Sequence, residues 1–149
     1  MNAWHDIAIG DKFPHEFPAI VEVPKDSKIK YELDKDTGLI KVDRILNASS
    51  HYPANYGFIP RTYCDDHDPL DILILGQLPI APLSIVQCRP IGLLKMLDQG
   101  HADDKIIAVH IADPEYAHYQ ELKELPPNKM AELKKFFEEY KTLENKQKT

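Results

Sequence analysis

Residues 64–75 of the chain are Cys64-Asp65-Asp66-His67-Asp68-Pro69-Leu70-Asp71-Ile72-Leu73-Ile74-Leu75. The apolar run at the end of this stretch, residues 71–75, has the length and composition of a buried β-strand. Pro69 keeps the preceding residues out of a helix interior, because proline has no backbone N–H and its ring clashes with the previous turn. The stretch therefore predicts an acidic turn that leads directly into a core strand.

The sequence on both sides of this stretch also favours strands. Twelve prolines against six glycines exclude a long helix from the first two-thirds of the chain. Other short β-like runs are predicted at residues 19–23, 28–33, 40–42, 85–88, 91–94 and 106–111. The turn residues between these runs indicate a small antiparallel barrel or sandwich.

The last third of the chain has a helical pattern instead. Apolar side chains recur there at three- and four-residue intervals, at Met130, Leu133, Phe137 and Tyr140. This spacing predicts an amphipathic helix, and the prolines at residues 126–127 suit its first turn. A shorter helix is predicted around residues 115–122. No repeat or linker divides the 149 residues, so we expect one domain over residues 1–149.

Charge and composition exclude several classes of protein. A formal net charge of −6 disfavours a binder of nucleic acid or of a membrane surface, because both partners are polyanions. No apolar run approaches the roughly 20 residues that span a bilayer. The two cysteines, Cys64 and Cys88, are expected to be free thiols in a reducing compartment. We therefore predict a cytoplasmic protein without nucleic-acid or membrane partners.

The acidic stretch places four carboxylates within seven residues, at 65, 66, 68 and 71. Two like charges about 4 Å apart repel by about 1 kcal/mol in water and by several times more at a partly buried site. A bound cation would relieve this repulsion, and carboxylate oxygens favour magnesium, manganese or calcium. The alternative is a solvated acidic turn. An EF-hand is excluded, because Asp71 and Gln77 stand where it requires glycine and glutamate.

A second acidic group, Asp98, Asp103 and Asp104, precedes the run at 106–111, and its pairing with the first group makes two or more metal ions plausible. Cationic and phenolic side chains could complete a site for a multiply charged oxyanion. These are Lys30, Arg44, Tyr56, Lys105, Tyr140 and Lys141. Taken singly, each is also an ordinary surface or core-edge residue.

Nine motifs, read together, resemble those of the soluble family I inorganic pyrophosphatases of bacterial type. They are Val21-Glu22-Val23-Pro24, Ile29-Lys30-Tyr31-Glu32, Val42-Asp43-Arg44, Tyr52-Pro53-Ala54-Asn55-Tyr56-Gly57-Phe58-Ile59-Pro60, Asp66-His67-Asp68-Pro69-Leu70-Asp71, Arg89-Pro90-Ile91-Gly92, Lys95-Met96-Leu97-Asp98, Asp103-Asp104-Lys105 and Phe136-Phe137-Glu138-Glu139-Tyr140-Lys141. The resemblance covers nearly the whole chain. It implies a mainly β member of the α+β class, with an OB-like five-stranded antiparallel barrel and flanking C-terminal helices.

The resemblance also implies a function. The expected reaction is hydrolysis of pyrophosphate to two phosphates, with several magnesium ions (Mg2+) in each active site. Manganese or other divalent cations are expected substitutes for magnesium. The expected assembly is a homohexamer or another homo-oligomer.

The resemblance assigns roles to individual residues. Asp66, Asp71 and Asp103 should hold the principal metal ion, Asp71 should share a second ion, and Asp98 should serve a further ion linked to the substrate. Asp68 should be the base that takes a proton from the attacking water. Residues that should grip phosphate oxygens are Lys30, Arg44, Tyr56, Lys105, Tyr140 and Lys141. Glu22 and Glu32 should support them, through water or by orienting the basic residues.

Two features depart from the family pattern. His67 stands where relatives commonly have glycine or another small or acidic residue, and we expect its imidazole to point to solvent and leave the magnesium chemistry intact. The sequence ends at Thr149, whereas relatives generally continue through a segment containing Gly-Trp into another helix.

Two other functions remain open from the residues alone. A different two-metal phosphohydrolase, such as a nuclease or a phosphomonoesterase, could use the same carboxylates. A non-catalytic OB-type binding module would fit the barrel, but its groove normally combines basic and aromatic side chains rather than acidic ones.

Overall fold

The computed structural model describes residues 2–4, 6–46, 50–60, 70–98 and 100–148, and for Asp98 and residues 140–148 it describes the backbone alone. In these parts the strands are β1 (Phe17–Val23), β2 (Ile29–Leu33), β3 (Ile40–Ile45), β4 (Asn55–Phe58), β5 (Asp71–Leu75), β6 (Ile85–Leu94), β7 (Leu97–Asp98), β8 (His101–Ala102) and β9 (Lys105–His110). A 3-10 turn (Leu122–Glu124) precedes one long helix, α1 (Pro127–Lys148).

Five of the strands close into a barrel in the order β1-β4-β5-β9-β6, which confirms the predicted five-stranded barrel. The pairings β1–β4, β1–β6, β4–β5 and β6–β9 are antiparallel, as expected. The pairing of β5 with β9 is parallel, with Ile72 opposite Ile106. The parallel pair places the first residues of β5 and β9 at the same end of the barrel.

The short strand β4 was not predicted from the sequence. It has only four residues, includes a glycine, and lies between prolines at 53 and 60. Gly57 is required here because β1 passes very close: a Cβ atom at this position would lie 1.8 Å from the carbonyl oxygen of Ile20. Gly57 weakens the strand pattern in the sequence, but it also allows β4 to pair closely with β1.

Two predicted runs, 85–88 and 91–94, form the single ten-residue strand β6. Pro90 lies between the two predicted runs, and proline cannot donate a hydrogen bond to a neighbouring strand. The structure accommodates it by an irregularity in the register with β9 between Pro90 and Gly92. The strand therefore continues through the proline at a β-bulge.

Helix α1 confirms the predicted amphipathic helix and begins at Pro127. Leu133 and Phe137 are buried as expected, together with Phe136, and they pack in the core cluster that contains Leu73 and Ile107 of the barrel. The prediction of a helix at residues 115–122 is wrong. Turns and irregular backbone occupy that segment up to the 3-10 turn at Leu122. The Asp113 carboxylate just before it accepts hydrogen bonds from the backbone N–H of Glu115 and from the backbone and side chain of the distant Gln77.

A separate two-stranded hairpin, β2–β3, stands beside the barrel. Its register pairs Lys30 with Arg44 and Leu33 with Ile40. A second small hairpin, β7–β8, pairs Asp98 with His101. No helix in the described part of the chain has the length and apolar character of a membrane span.

Candidate active site

The ammonium group of Lys105 lies between two carboxylates at one end of the barrel. Its Nζ is 2.6 Å from Oδ2 of Asp71 and 3.0 Å from Oδ1 of Asp103. The side chain of Lys105 is only 7% exposed, whereas those of Asp71 and Asp103 are about a quarter exposed. The carboxylates therefore form the accessible side of this cluster.

Strand topology explains why these residues meet. Asp71 is the first residue of β5 and Lys105 is the first residue of β9, and the two strands run parallel as neighbours. Asp103 is held just before β9, because its backbone N–H donates to the carbonyl of Met96 at 2.9 Å. The neighbouring Asp104 carboxylate accepts a hydrogen bond of 3.1 Å from the backbone of Met96. The β7–β8 hairpin is thus closed at its base where Asp103 faces Lys105.

Burial and charge oppose each other in this cluster. Burial lowers the pKa of Lys105, but the carboxylates of Asp71 and Asp103 outweigh it, so the pKa lies above its ordinary value. Burial raises the pKa of Asp71, whereas Lys105 and a hydrogen bond with Tyr56 lower it. The effect of burial is larger, so this pKa lies above its ordinary value. Lys105 therefore keeps its charge. A further cation would be attracted to the cluster, because one ammonium group faces two carboxylates.

Tyr56 lies beside the same cluster. Its ring centroid is 5.7 Å from Nζ of Lys105, within the range of a cation–π contact. Its neighbour Asn55 is fully buried and fixes the start of β4, because its side-chain oxygen accepts from the backbone of Lys25 at 2.8 Å and of Ile80 at 3.0 Å. Asn55 was quoted within a motif but was not predicted to have a role.

The hairpin β2–β3 brings a second pair of cations together. Nζ of Lys30 is 3.0 Å from Oδ2 of Asp43, and Nε of Arg44 is 3.7 Å from the same oxygen. Burial raises the pKa of Asp43, but Lys30 and Arg44 lower it by more, so this pKa lies below its ordinary value. Burial lowers the pKa of Lys30, but Asp43 raises it by more, so that pKa lies above its ordinary value. Asp43 was quoted within a motif but was not predicted as a site residue, and its position between the two cations depends on the pairing of β2 with β3.

Glu22 connects the hairpin with the barrel. Its Oε2 accepts a hydrogen bond of 2.8 Å from the backbone N–H of Leu33, and the residue is 9% exposed. Burial raises the pKa of Glu22 from 4.5 to about 7; Asp71 and Glu32 add to the increase, whereas Leu33 and Lys30 oppose it. Glu22 on β1 thus bonds to the hairpin that carries Lys30, and the charges of both Asp71 and Lys30 act on its pKa.

The described residues thus bring together Lys105, Asp71, Asp103 and Tyr56 in one group and Lys30 and Arg44 in another, and charges of both groups act on the pKa of Glu22. Asp66, His67 and Asp68 lie outside the described residues. Asp98 is located only by its backbone in β7, and Tyr140 and Lys141 only by theirs in α1.

The donor set suits a hard divalent cation. Asp71 and Asp103 offer carboxylate oxygens, the ligand type that magnesium and manganese prefer. Within the described ranges, no three of the histidine, cysteine, aspartate and glutamate side chains form a metal-binding group. The acidic residues at 65, 66 and 68, two of which were predicted to belong to such a site, lie outside those ranges.

Carboxylates and cations at one end of a closed barrel are features that suit a hydrolase acting on an anionic substrate. Comparison with known proteins identifies the family: the family model described as inorganic pyrophosphatase matches residues 19–149. The chain belongs to the inorganic pyrophosphatase family, whose soluble family I members are metal-dependent hydrolases. This confirms the resemblance noted in the sequence.

Curated relatives and solved structures that resemble this chain are also inorganic pyrophosphatases. The soluble inorganic pyrophosphatase PPA1 of Solanum tuberosum is 58% identical over 145 residues, which cover 97% of this chain and 69% of the relative. Soluble inorganic pyrophosphatase 1 of Arabidopsis thaliana is 57% identical over 146 residues, covering 98% and 69%. The crystal structure of the inorganic pyrophosphatase from Thermus thermophilus has a TM-score of 0.93 at 41% identity, covering 99% of this chain and 84% of that one.

Proposed function

We propose that this chain hydrolyses inorganic pyrophosphate to two phosphates. The family supports this reaction, and the observation that carries it is the cluster in which buried Lys105 sits 2.6 Å from Asp71 and 3.0 Å from Asp103. A site that combines carboxylates with retained cations suits a substrate that arrives with metal ions and many negative charges.

We propose Asp66, Asp71 and Asp103 as ligands of the principal metal ion, Asp71 as a shared ligand of a second ion, and Asp98 as the ligand of a further, substrate-linked ion. Hard oxygen donors support magnesium as the natural metal, with manganese as a substitute. When bound, such ions neutralise phosphate charge and lower the pKa of water toward neutrality.

The chain's own side chains would perform the remaining tasks. Asp68 would act as the general base that takes the proton from the attacking water. Lys30 and Arg44 would bind phosphate oxygens from the hairpin side, and Lys105 and Tyr56 would do so from the barrel side. Tyr140 and Lys141, on α1, would complete this set. Positioning and charge stabilisation would supply most of the rate acceleration, because phosphoryl transfer needs little covalent help.

Glu22 and Glu32 would support the cations rather than touch the reacting atoms. Glu22 is suited to this role because it bonds to the backbone of the hairpin at Leu33 and is coupled electrostatically to Lys30. Glu32 lies one residue before Leu33 on the same strand and contributes to the raised pKa of Glu22.

Phosphate release from pyrophosphate tests the proposal. The protein should release phosphate with magnesium and not with a chelator, and Asp68→Asn should remove most of the turnover. Asp36→Asn, on the exposed turn of the hairpin, is a control that removes the same charge away from the site. Faster release from a nucleotide or from p-nitrophenyl phosphate would favour another phosphohydrolase, and salt-sensitive binding of single-stranded DNA without turnover would favour a binding module.

The cytoplasmic location and the homohexamer remain proposals. The buried thiol of Cys88, free in the described part of the chain, suits a reducing compartment. Exposed apolar side chains on the hairpin, Val42 at 60% and Ile45 at 73%, would suit contacts between copies. Cell fractionation and light scattering coupled to size-exclusion chromatography test the two proposals.

A further inference from the structure

The hairpin β2–β3 carries Lys30 and Arg44 but is joined to no barrel strand by a described ladder pairing. A two-stranded hairpin alone is at best marginally stable in water. Something other than a sheet ladder must therefore fix its position relative to the barrel. The requirement is strict, since the two cations would have to face Lys105 and Asp71 across the site.

Trp4 is suited to fix the position of the hairpin relative to the barrel. Its side chain is 6% exposed and packs in a cluster with Ile20 and Phe58 of the barrel and with Leu33 of the hairpin. Ile40, the cross-strand partner of Leu33, packs against the same cluster. The cluster that contains the indole ring thus includes residues of both the barrel and the hairpin.

One cation–π contact and two hydrogen bonds involve Trp4 or the residues next to it. Nζ of Lys35, in the turn between β2 and β3, lies 5.0 Å from the centroid of the indole ring. The backbone N–H of Trp4 donates to the side-chain oxygen of Asn2 at 2.9 Å, and the backbone N–H of Asp6 donates to the carbonyl of Asn2 at 2.8 Å. The segment around Trp4 is therefore held in a local turn by its own hydrogen bonds.

Leu33 is held on two sides. Its side chain packs in the Trp4 cluster, and its backbone N–H donates to Oε2 of Glu22 on β1. Leu33 and Lys30 are three residues apart on β2, about 10 Å along a strand. Movement at Leu33 would consequently be carried along a short, paired strand to Lys30 and its partner Arg44.

We propose that Trp4 is a positioning residue that holds the β2–β3 hairpin, and with it Lys30 and Arg44, in the place where they bind phosphate. This inference rests on the proposed function. It goes beyond the family assignment, because the family match begins at residue 19 and does not include the segment around Trp4.

The kinetic test compares Trp4→Ala and Trp4→Phe with the unmutated protein and with Val86→Ala. Val86 is equally buried but belongs to a different core cluster, with Phe17 and Ile59. All proteins are assayed at a temperature at which circular dichroism shows them folded. Trp4→Ala should raise KM for pyrophosphate about tenfold while kcat changes by less than about twofold, because misplaced binding groups weaken capture of the substrate.

Two variants separate positioning from a general loss of stability. Trp4→Phe keeps an aromatic ring in the cluster and should bring KM back to within about twofold of the unmutated value. Val86→Ala should lose stability and leave KM unchanged. A KM for Trp4→Ala equal to that of the unmutated protein, or an equal rise in Val86→Ala, would overturn the proposal.

A binding measurement gives a readout that does not need turnover. Isothermal titration of inorganic phosphate, in magnesium buffer, should give a Kd for Trp4→Ala about tenfold above that of the unmutated protein and of Val86→Ala. An unchanged Kd would overturn the role of Trp4. Absence of pyrophosphate hydrolysis by the unmutated protein would instead refute the proposed function, so the two failures are distinguishable.

Discussion

Replacing Glu22 by glutamine should change how the stability of the metal-free protein depends on pH. Glu22 is 9% exposed, and its pKa is about 7 in the folded protein against an ordinary value of 4.5. Between these two pH values the folded protein keeps the proton that the unfolded chain releases. The stabilisation from protonated Glu22 is therefore complete below pH 4.5 and is lost as the pH rises through 7.

The magnitude follows from the same two values. Each pH unit between 4.5 and 7 costs the unmutated protein about 1.4 kcal/mol at this residue, so the full loss is about 3 kcal/mol. Glu22→Gln has the same shape and retains an oxygen that can accept from the N–H of Leu33. It should match the unmutated protein near pH 4.5 and exceed its free energy of unfolding by about 3 kcal/mol at pH 8.

Urea denaturation followed by circular dichroism, with a chelator present, measures this difference from pH 4.5 to 8. Glu115→Gln, an equal change of charge at an exposed residue, serves as the control and should show a nearly constant difference. If the difference between Glu22→Gln and the unmutated protein were equally constant across this range, the burial argument for Glu22 would be refuted.

Three further substitutions test the packing and the site. Gly57→Ala should destabilise the barrel by about 3 kcal/mol or more in urea denaturation, because the new Cβ would lie 1.8 Å from the Ile20 carbonyl oxygen. Gly76→Ala, whose Cβ would have its nearest contact at 3.2 Å, is the control and should cost far less. Asn55→Ala should cost about 2 kcal/mol by the same measurement, because the part-buried N–H groups of Lys25 and Ile80 lose their acceptor; a cost below about 1 kcal/mol would contradict this. Lys105→Met should lower the rate of phosphate release at least about a hundredfold with an unchanged circular dichroism spectrum, and a wild-type rate would exclude Lys105 from the site.

Local sequence pattern was sufficient for the parts of the fold that depend on local chemistry. The run Ile72 to Leu75 predicts β5 within its observed bounds, and the spacing of apolar residues predicts α1. Strand β4 was missed because its glycine is explained only by the close approach of Ile20, which lies far away in sequence. The helix predicted at 115–122 is replaced by turns up to Leu122, where a three-residue 3-10 turn begins.

The candidate site shows the same division. The acidic and basic residues were identified by their motifs, and the structure brings Lys105, Asp71 and Asp103 into contact. The bridging position of Asp43 and the raised pKa of Glu22 could not be obtained from the residues alone. Both depend on which strands pair and on how deeply a carboxylate is buried in the assembled protein.

The parallel pairing of β5 with β9 has a consequence for how the protein folds. Asp71 and Lys105 are 34 residues apart, so their contact closes a loop that contains β6 and the β7–β8 hairpin. Closing so long a loop costs chain entropy that local contacts do not offset, so this step belongs to the slow, late part of folding. Partly folded chains, and nascent chains that end before residue 105, would therefore lack the Lys105–Asp71 contact. Such chains would acquire catalytic competence only when the barrel closes.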